Sequence, residues 1–212
     1  YTNIFNAMNI FNTVIEGIEG CSNEEVSSET AQKLIAQAKA ARAWSYMNAA
    51  FVWGPMYNPA SANDTKAFPY RKSSDPTVNE DLNTTAQIME NLKKDLEEAL
   101  AGAPDNVLNP SRASKAAVYA LLAQYYMYQR DWQKMYDNAN SSWNASLAVK
   151  GAVGNMLYNY NDFQYIPESV TVPEGQDPET MIISTNHTQR KIFSTVWVHI
   201  AADRTICSPM TI

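Results

Sequence analysis

The chain has 212 residues, 45% of them apolar, which is enough for one large domain or two small ones with a real core. Its net charge of −6, with the Lys and Arg residues scattered along it, leaves no basic stripe for a phosphate backbone and excludes nucleic acid as a partner. No apolar run reaches membrane-spanning length.

Tyr1-Thr2-Asn3-Ile4 reads as the interior of a helix, so residues are expected to precede Tyr1. From residue 3 to 18, Ile4, Phe5, Met8, Phe11, Ile15 and Ile18 recur at three and four, the period of an amphipathic helix. Gly17 and Gly20 close it, and Cys21–Ser28 is a polar connection. Ser22 with Glu25, and Ser27-Ser28, offer N-caps for a second helix. That helix runs to about Trp53 and is dense in alanine (Ala36, Ala38, Ala40, Ala41, Ala43, Ala49, Ala50), which favours helix and permits close helix contacts. Gly54-Pro55 stops it.

Residues 54–82 have no helical period and carry Pro55, Pro59, Pro69 and Pro76. A connection this long is functional or disordered. Thr84 and Gln87 form a capping box for a third helix, whose apolar face is Ile88, Leu92, Leu96 and Ala99. Gly102 and Pro104 end it. Asp95, Glu97 and Glu98 on this helix read as a solvated face, since adjacent carboxylates on one helix point apart and make no acid–base pair.

Asn109-Pro110-Ser111 leads into two further helices within Ser114–Ser142. Tyr119, Leu122, Ala123 and Tyr126 share a face of the first. After a break at Arg130-Asp131, Met135, Ala139 and Ser142 mark the facing side of the second. Bulky, apolar, small and aromatic residues at these offsets form the tetratricopeptide-like pattern, whose small residues let backbones approach while aromatics fill the seams. Such a unit cannot bury its face alone and implies neighbouring helices.

After residue 148 the texture changes. Gly151, Gly154, Asn155, Asn159 and Asn161 are loop-like, Glu179–Ser184 is a short strand candidate, and Ile192–Ile200 reads as a longer strand. The expected architecture is mainly α: tetratricopeptide-like helix pairs forming an α-α superhelix over residues 1–150, then the start of a loop-rich mixed region at 151–212 with a few short strands. The chain is expected to continue beyond Ile212. Cys21 and Cys207 allow one long-range disulfide, but buried free thiols fit two isolated cysteines better. His187 and His199 have no ligand-spaced neighbours, so no structural zinc and no other cofactor is implied.

Chemistry that could bind a small ligand concentrates in the loops. Carbohydrate recognition needs flat aromatic faces against C–H surfaces, with planar amides or Arg for hydroxyl pairs. The 54–82 stretch and its edge supply Trp53, Tyr57, Tyr70 and Arg71, with Asn58, Asn63 and Asp64 nearby; Asn159, Tyr160, Asn161 and Tyr165 form a second cluster. The competing role for each aromatic is to anchor its loop on the helices. No G-x-S-x-G elbow and no glycine-rich phosphate loop occurs.

Three segments together resemble the SusD/RagB family of outer-membrane nutrient-binding lipoproteins. In residues 36–55, Ala38, Arg42, Ala43, Tyr46, Gly54 and Pro55 are similar to the family's A-x-x-x-R-A-x-x-Y helix, although here Pro follows Gly directly. In 86–100, Leu92, Asp95, Leu96 and Ala99 are similar to its I-x-x-D-L-x-x-A helix. In 111–139, Arg112, Ser114, Lys115, Ala117, Leu121, Leu122, Ala123, Tyr126, Asp131 and Trp132 resemble its R-x-[ST]-K-x-A-A-x-A-L-L-A-x-x-Y-L-x-x-x-D-[WY] run. PETMIIST (178–185) looks like the strand that follows. Tyr1, Ile4, Ala7 and Asn9 are similar to its first scaffold helix, with one residue between Ala and Asn.

The resemblance implies binding without catalysis. An oligosaccharide ligand would be captured at the cell surface and passed to a TonB-dependent transporter in the outer membrane. The membrane would be reached only through a lipid on an N-terminal cysteine preceding Tyr1, a role that mid-chain Cys21 cannot take. A helical-repeat adaptor gripping a peptide or protein partner is the alternative that the helices alone permit.

Overall fold

A computed structural model describes residues 2–109 and 111–156, with side chains from Phe5 onward. The strand candidates at 179–184 and 192–200, the Asn159–Tyr165 cluster, both histidines, Cys207 and the 178–185 motif lie outside the described residues, as do Tyr1 and the Ile4 side chain.

The described residues form α1 (Thr2–Glu19), α2 (Ser28–Trp53), α3 (Thr85–Gly102), α4 (Lys115–Tyr128) and α5 (Trp132–Lys150), followed by a short 3-10 turn at Val153–Asn155. The fold is mainly α, as its sequence periods predict. Each helix packs on the next in the chain, and α2 also meets α4.

The ends of the helices follow local chemistry. Ser27 caps α2 by accepting from the Thr30 amide, while Ser22 instead closes the preceding turn by donating its amide to Glu25 Oε2 at 2.9 Å. Thr84 and Gln87 form the capping box of α3: Gln87 N donates to Thr84 Oγ1 at 3.2 Å, and Thr84 N donates to Gln87 Oε1 at 2.9 Å. Ser114 caps α4 and Asp131 caps α5. Between those two helices Arg130 takes a left-handed backbone (φ 62°), which turns the chain at the predicted break.

Two glycines serve close approaches. A Cβ on Gly54 would lie 2.7 Å from the Ala50 carbonyl oxygen, so only glycine lets α2 end as it does. A Cβ on Gly102 would stand 3.0 Å from both the Ala36 side chain and the Gln32 carbonyl, where α3 meets α2.

The main core joins Met8 of α1, the alanines and Tyr46 of α2, Ile88, Leu92 and Leu96 of α3, and Val118, Leu121 and Tyr125 of α4. On α4, Leu122 and Ala123 are buried as expected, whereas Tyr119 and Tyr126 are half-buried at the edge of this core. Tyr125 supplies the fully enclosed ring. A second, small contact joins Ala116, Ala117 and Ala120 of α4 to Ala145 of α5. There Ser142 Oγ donates to the Ala116 carbonyl at 2.8 Å. Of the residues expected on the facing side, Ser142 meets α4 as expected and Met135 is half-buried, but Ala139 is exposed; Ala145 and Ser146 join Ser142 at the seam. The contact lies toward the end of α5 because Ala116, Ala117 and Ala120 of α4 cluster in its first two turns.

Cys21 is a free thiol, and its expected burial is corrected: it is exposed in the α1–α2 connection, donating its S–H to the Gly17 carbonyl at 3.2 Å. That connection contributes nothing to the core.

The long loop is ordered by its own polar side chains. Residues 65–68 run antiparallel to 83–85, with Ala67 N donating to Asn83 O at 2.9 Å and Thr85 N to Thr65 O at 3.0 Å. Asn63 has a left-handed backbone (φ 53°). Its Oδ1 accepts from Asn58 N at 2.8 Å, and its Nδ2 donates to the carbonyls of Asn58 (2.8 Å) and Ser61 (2.9 Å). This amide replaces a backbone partner for the whole Asn58–Asn63 turn, and Asn is among the few residues that tolerate the conformation. Asn63→Ala is therefore expected to lower stability by about 2 kcal/mol, read as a shifted urea midpoint at unchanged slope.

Candidate functional site

Arg42 on α2 and Asp95 on α3 occupy positions that helical periodicity turns inward. Both are almost fully enclosed, with side chains 5% and 2% exposed. Arg42 Nε donates to Asp95 Oδ2 and Nη2 to Oδ1, each at 2.8 Å, a two-pronged pairing that matches the planar guanidinium to the carboxylate. The third prong, Nη1, donates to Asn12 Oδ1 of α1 at 2.9 Å. The reading of Asp95 as part of a solvated face is thus corrected: of the three carboxylates, Glu97 and Glu98 face water and Asp95 faces the core, one turn from Leu92 and beside Leu96.

The loop is fastened to this pair. Tyr70 OH donates to Asp95 Oδ2 at 2.8 Å, and Asn12 Nδ2 donates to the carbonyls of Arg71 (3.2 Å) and Ser73 (3.1 Å). The Tyr46 hydroxyl accepts from Arg71 N at 2.7 Å and donates to Arg71 O at 3.2 Å. The rings of Tyr46 and Tyr70 stack at 3.8 Å between centroids, with Phe68 stacked 6.2 Å from Tyr46 on a nearly parallel plane. Burial pulls the Arg42 guanidinium down, but the hydrogen bond and charge of Asp95 outweigh it, leaving Arg42 raised. Burial first, then the charge and hydrogen bond of Asp95, push the Tyr70 hydroxyl well up; burial alone dominates the rise at Tyr46.

These facts sort the four site residues expected from sequence. Tyr70 is buried (3% exposed) and its hydroxyl is spent on Asp95, which leaves no ring face for a ligand; it is a loop anchor. Asn63 is consumed in the same way by its own turn. Trp53, at the last position of α2, is 40% exposed. Tyr57 is half-buried and packs on the core. Close by, Tyr128 OH donates to the Pro55 carbonyl at 3.3 Å and its ring meets Phe51 at 4.5 Å, which fixes the chain leaving α2.

Arg71 lies elsewhere, on the rim of a cavity of about 430 Å³ between α1 and the loop. Asn6, Asn9 and Asn12, one turn apart along α1, form one wall, and Tyr46, Pro69 and Arg71 form the other. Phe5, Met8 and Pro76 complete an apolar lining. Trp53 and Tyr57 do not border this cavity, so the structure does not gather the expected residues into one place. The α1 asparagines were missed because a single amide every third residue carries no signal until its helix has a neighbour; their shared spacing was the available clue. Among the described residues no group of His, Cys, Asp or Glu is arranged to hold a metal ion, and no helix is long and apolar enough to cross a membrane.

Residues 1–127 match the SusD-like family described as starch-binding and associating with the outer membrane. Among solved structures, a SusD superfamily protein from Bacteroides thetaiotaomicron is 25% identical, with a TM-score of 0.62 over 76% of this chain and 34% of that one. A SusD-like carbohydrate-binding protein from Bacteroides vulgatus (19% identity, TM-score 0.61) aligns over 76% of this chain and 32% of its own. A laminarin-binding SusD-like protein (18%, TM-score 0.51) aligns over 65% and 28%. The last two likenesses concern the fold. This chain spans about a third of the length of the first of these structures. No curated protein matches it.

Two outcomes test the network. Arg42→Ala strands a buried carboxylate and is expected to cost about 3–5 kcal/mol in chemical denaturation, whereas Arg42→Met with Asp95→Leu costs less than either single change. In alkali, the unfolded chain releases its tyrosine protons near pH ~10 while Tyr46 and Tyr70 hold theirs when folded. Stability is therefore fully present below that pH and falls above it, by about 1.4 kcal/mol per pH unit for each such tyrosine. Tyr70→Phe should flatten that decline in urea titrations across the range.

Proposed function

Because this chain belongs to the SusD-like family, matching it over 127 of its 212 residues, we propose that it is the helical scaffold portion of a longer protein that binds oligosaccharides. Such a protein would work without catalysis at the outer-membrane surface, anchored by an N-terminal lipid, and would deliver its ligand to a TonB-dependent transporter. The observation that carries this reading is the loop after α2: a long irregular segment, held in one conformation by Asn63 and the Arg42–Asp95 network, that exposes polar groups beside the 40% exposed Trp53 at the end of α2. Preorganisation of this kind lowers the entropic cost of gripping a flexible ligand. Similar solved structures include a carbohydrate-binding and a laminarin-binding protein, which supports the ligand class.

Where α2 passes into this loop, Trp53 and Tyr57 are the proposed aromatic contacts. Trp53 has the more exposed ring; Tyr57 also props the loop, so its removal would cost stability as well as affinity. The helical-repeat adaptor is supported by a different feature. Trp132, Tyr136 and Trp143 lie along α5 at helical spacing, 59%, 60% and 42% exposed, and could receive a protein partner.

Calorimetric titration of the full chain with a glycan panel separates the readings. Binding is expected to at least one neutral oligosaccharide, and Trp53→Ala should weaken it roughly five- to tenfold, the worth of one aromatic stack, with helicity unchanged by circular dichroism. Absence of heat with every glycan, together with capture of a soluble protein partner that Trp132→Ala and Tyr136→Ala abolish, would favour the adaptor.

A further inference from the structure

The cavity between α1 and the 69–76 segment borders the Arg42–Asp95 network through Asn12, Tyr46 and the Arg71 backbone. Its base is the buried Asn12, whose amide is fully engaged with Arg42 and the loop carbonyls. Above Asn12, Asn9 and Asn6 stand one and two turns nearer the start of α1, exposed, with no hydrogen-bond partner for their side chains among the described residues. Across from them, Arg71 is held by one bond, Nη2 donating to the Asp75 carbonyl at 2.6 Å, which leaves its other donors for a ligand. Phe5, Pro69 and Pro76 give the space an apolar side.

Each amide offers one acceptor and two donors in a plane, and the guanidinium adds a fork of donors. Paired hydroxyls need that combination, and the C–H face of a sugar ring needs the adjoining apolar wall. At about 430 Å³ the cavity is in the range of pockets that take small ligands, of about 300–1,000 Å³. Its two bordering elements also carry carboxylates. Glu16 on α1 accepts from the backbone amide of Ser74 at 3.0 Å and from the Ser74 hydroxyl, and Asp75 accepts from Thr77. Those bonds hold both carboxyls below the usual carboxylate range, and their negative charges disfavour an anion next to Arg71.

We propose that this cavity binds one neutral saccharide unit, with Asn6, Asn9 and Arg71 on its hydroxyls. The inference rests on the carbohydrate-binding reading above and assigns it a site separate from Trp53. Asn12 and Glu16 already bond α1 to this segment, and a ligand here would add a further bridge between them.

The test uses the full chain, titrated calorimetrically with maltose, cellobiose, laminaribiose and glucuronate. At least one neutral disaccharide is expected to bind, more tightly than glucuronate, and to shift the side-chain amide resonances of Asn6 and Asn9. Asn6→Ala with Asn9→Ala replaces two exposed residues by better helix formers, so the fold is retained, and should weaken binding roughly ten- to a hundredfold. Trp53→Ala should leave disaccharide binding within about twofold, on the scale of a weak or absent contact. Glycan binding that the double variant leaves intact overturns this site while the carbohydrate-binding reading stands. Glucuronate binding tighter than any neutral sugar overturns the ligand class. Silence toward these sugars and toward the longer oligosaccharides of the wider panel overturns both.

Discussion

A buried charge pair must be satisfied on all sides or not be buried at all, and this requirement at Arg42 and Asp95 organises the described part of the molecule. Two charges removed from water repay their desolvation only through close geometry and full hydrogen bonding. Here Asp95 accepts from two nitrogens of Arg42 and from Tyr70, and Arg42 spends its remaining prong on Asn12. Those four residues come from α1, α2, α3 and the long loop. One polar cluster therefore sets the register of three helices and the path of a segment that has no secondary structure of its own. An apolar core of the same volume would hold the helices together, but it would not say where the loop lies.

The loop shows how irregular backbone can be made rigid. Asn63, Asn83 and Asn12 supply side-chain partners where a sheet or helix would supply backbone ones; Asn83 Oδ1, for instance, accepts from Tyr70 N at 2.7 Å. The stacked rings of Tyr46, Tyr70 and Phe68 join the network through the Tyr70 hydroxyl, and the enclosure of the ion pair strengthens its bonds. Much of the aromatic and amide content that looks like ligand chemistry is thereby committed to architecture. The side chains of the two outer asparagines of α1 are not, and Trp53, 40% exposed, does not border their cavity. If ligand binding uses both, a single rigid loop lies between them and couples their positions.

The helices were readable one by one. Met8 and Ile15, Ile88 through Ala99, and the Thr84–Gln87 box are local signals, because a helix repeats its face every turn and satisfies its first amides from residues a few places away. Asp95 was misread for the same reason: by type it belongs outside, and only a partner fifty-three residues away makes its burial tolerable. Tyr70 has the composition of a binding residue and the position of a strut. Ala139 fits the repeat offsets, yet the α4–α5 seam is decided by where Ala116, Ala117 and Ala120 let α5 come close.

What the sequence by itself determined, then, was the set of helices, their caps, their breaks and the scaffold class, all of which depend on interactions within a turn or two. Tertiary structure alone decided which polar residues are spent inside and which remain for a ligand. An amide, a tyrosine hydroxyl or a carboxylate has the same chemistry in either place. Its role is set by whether a partner from another element reaches it before water does, and that depends on distances that no local pattern records.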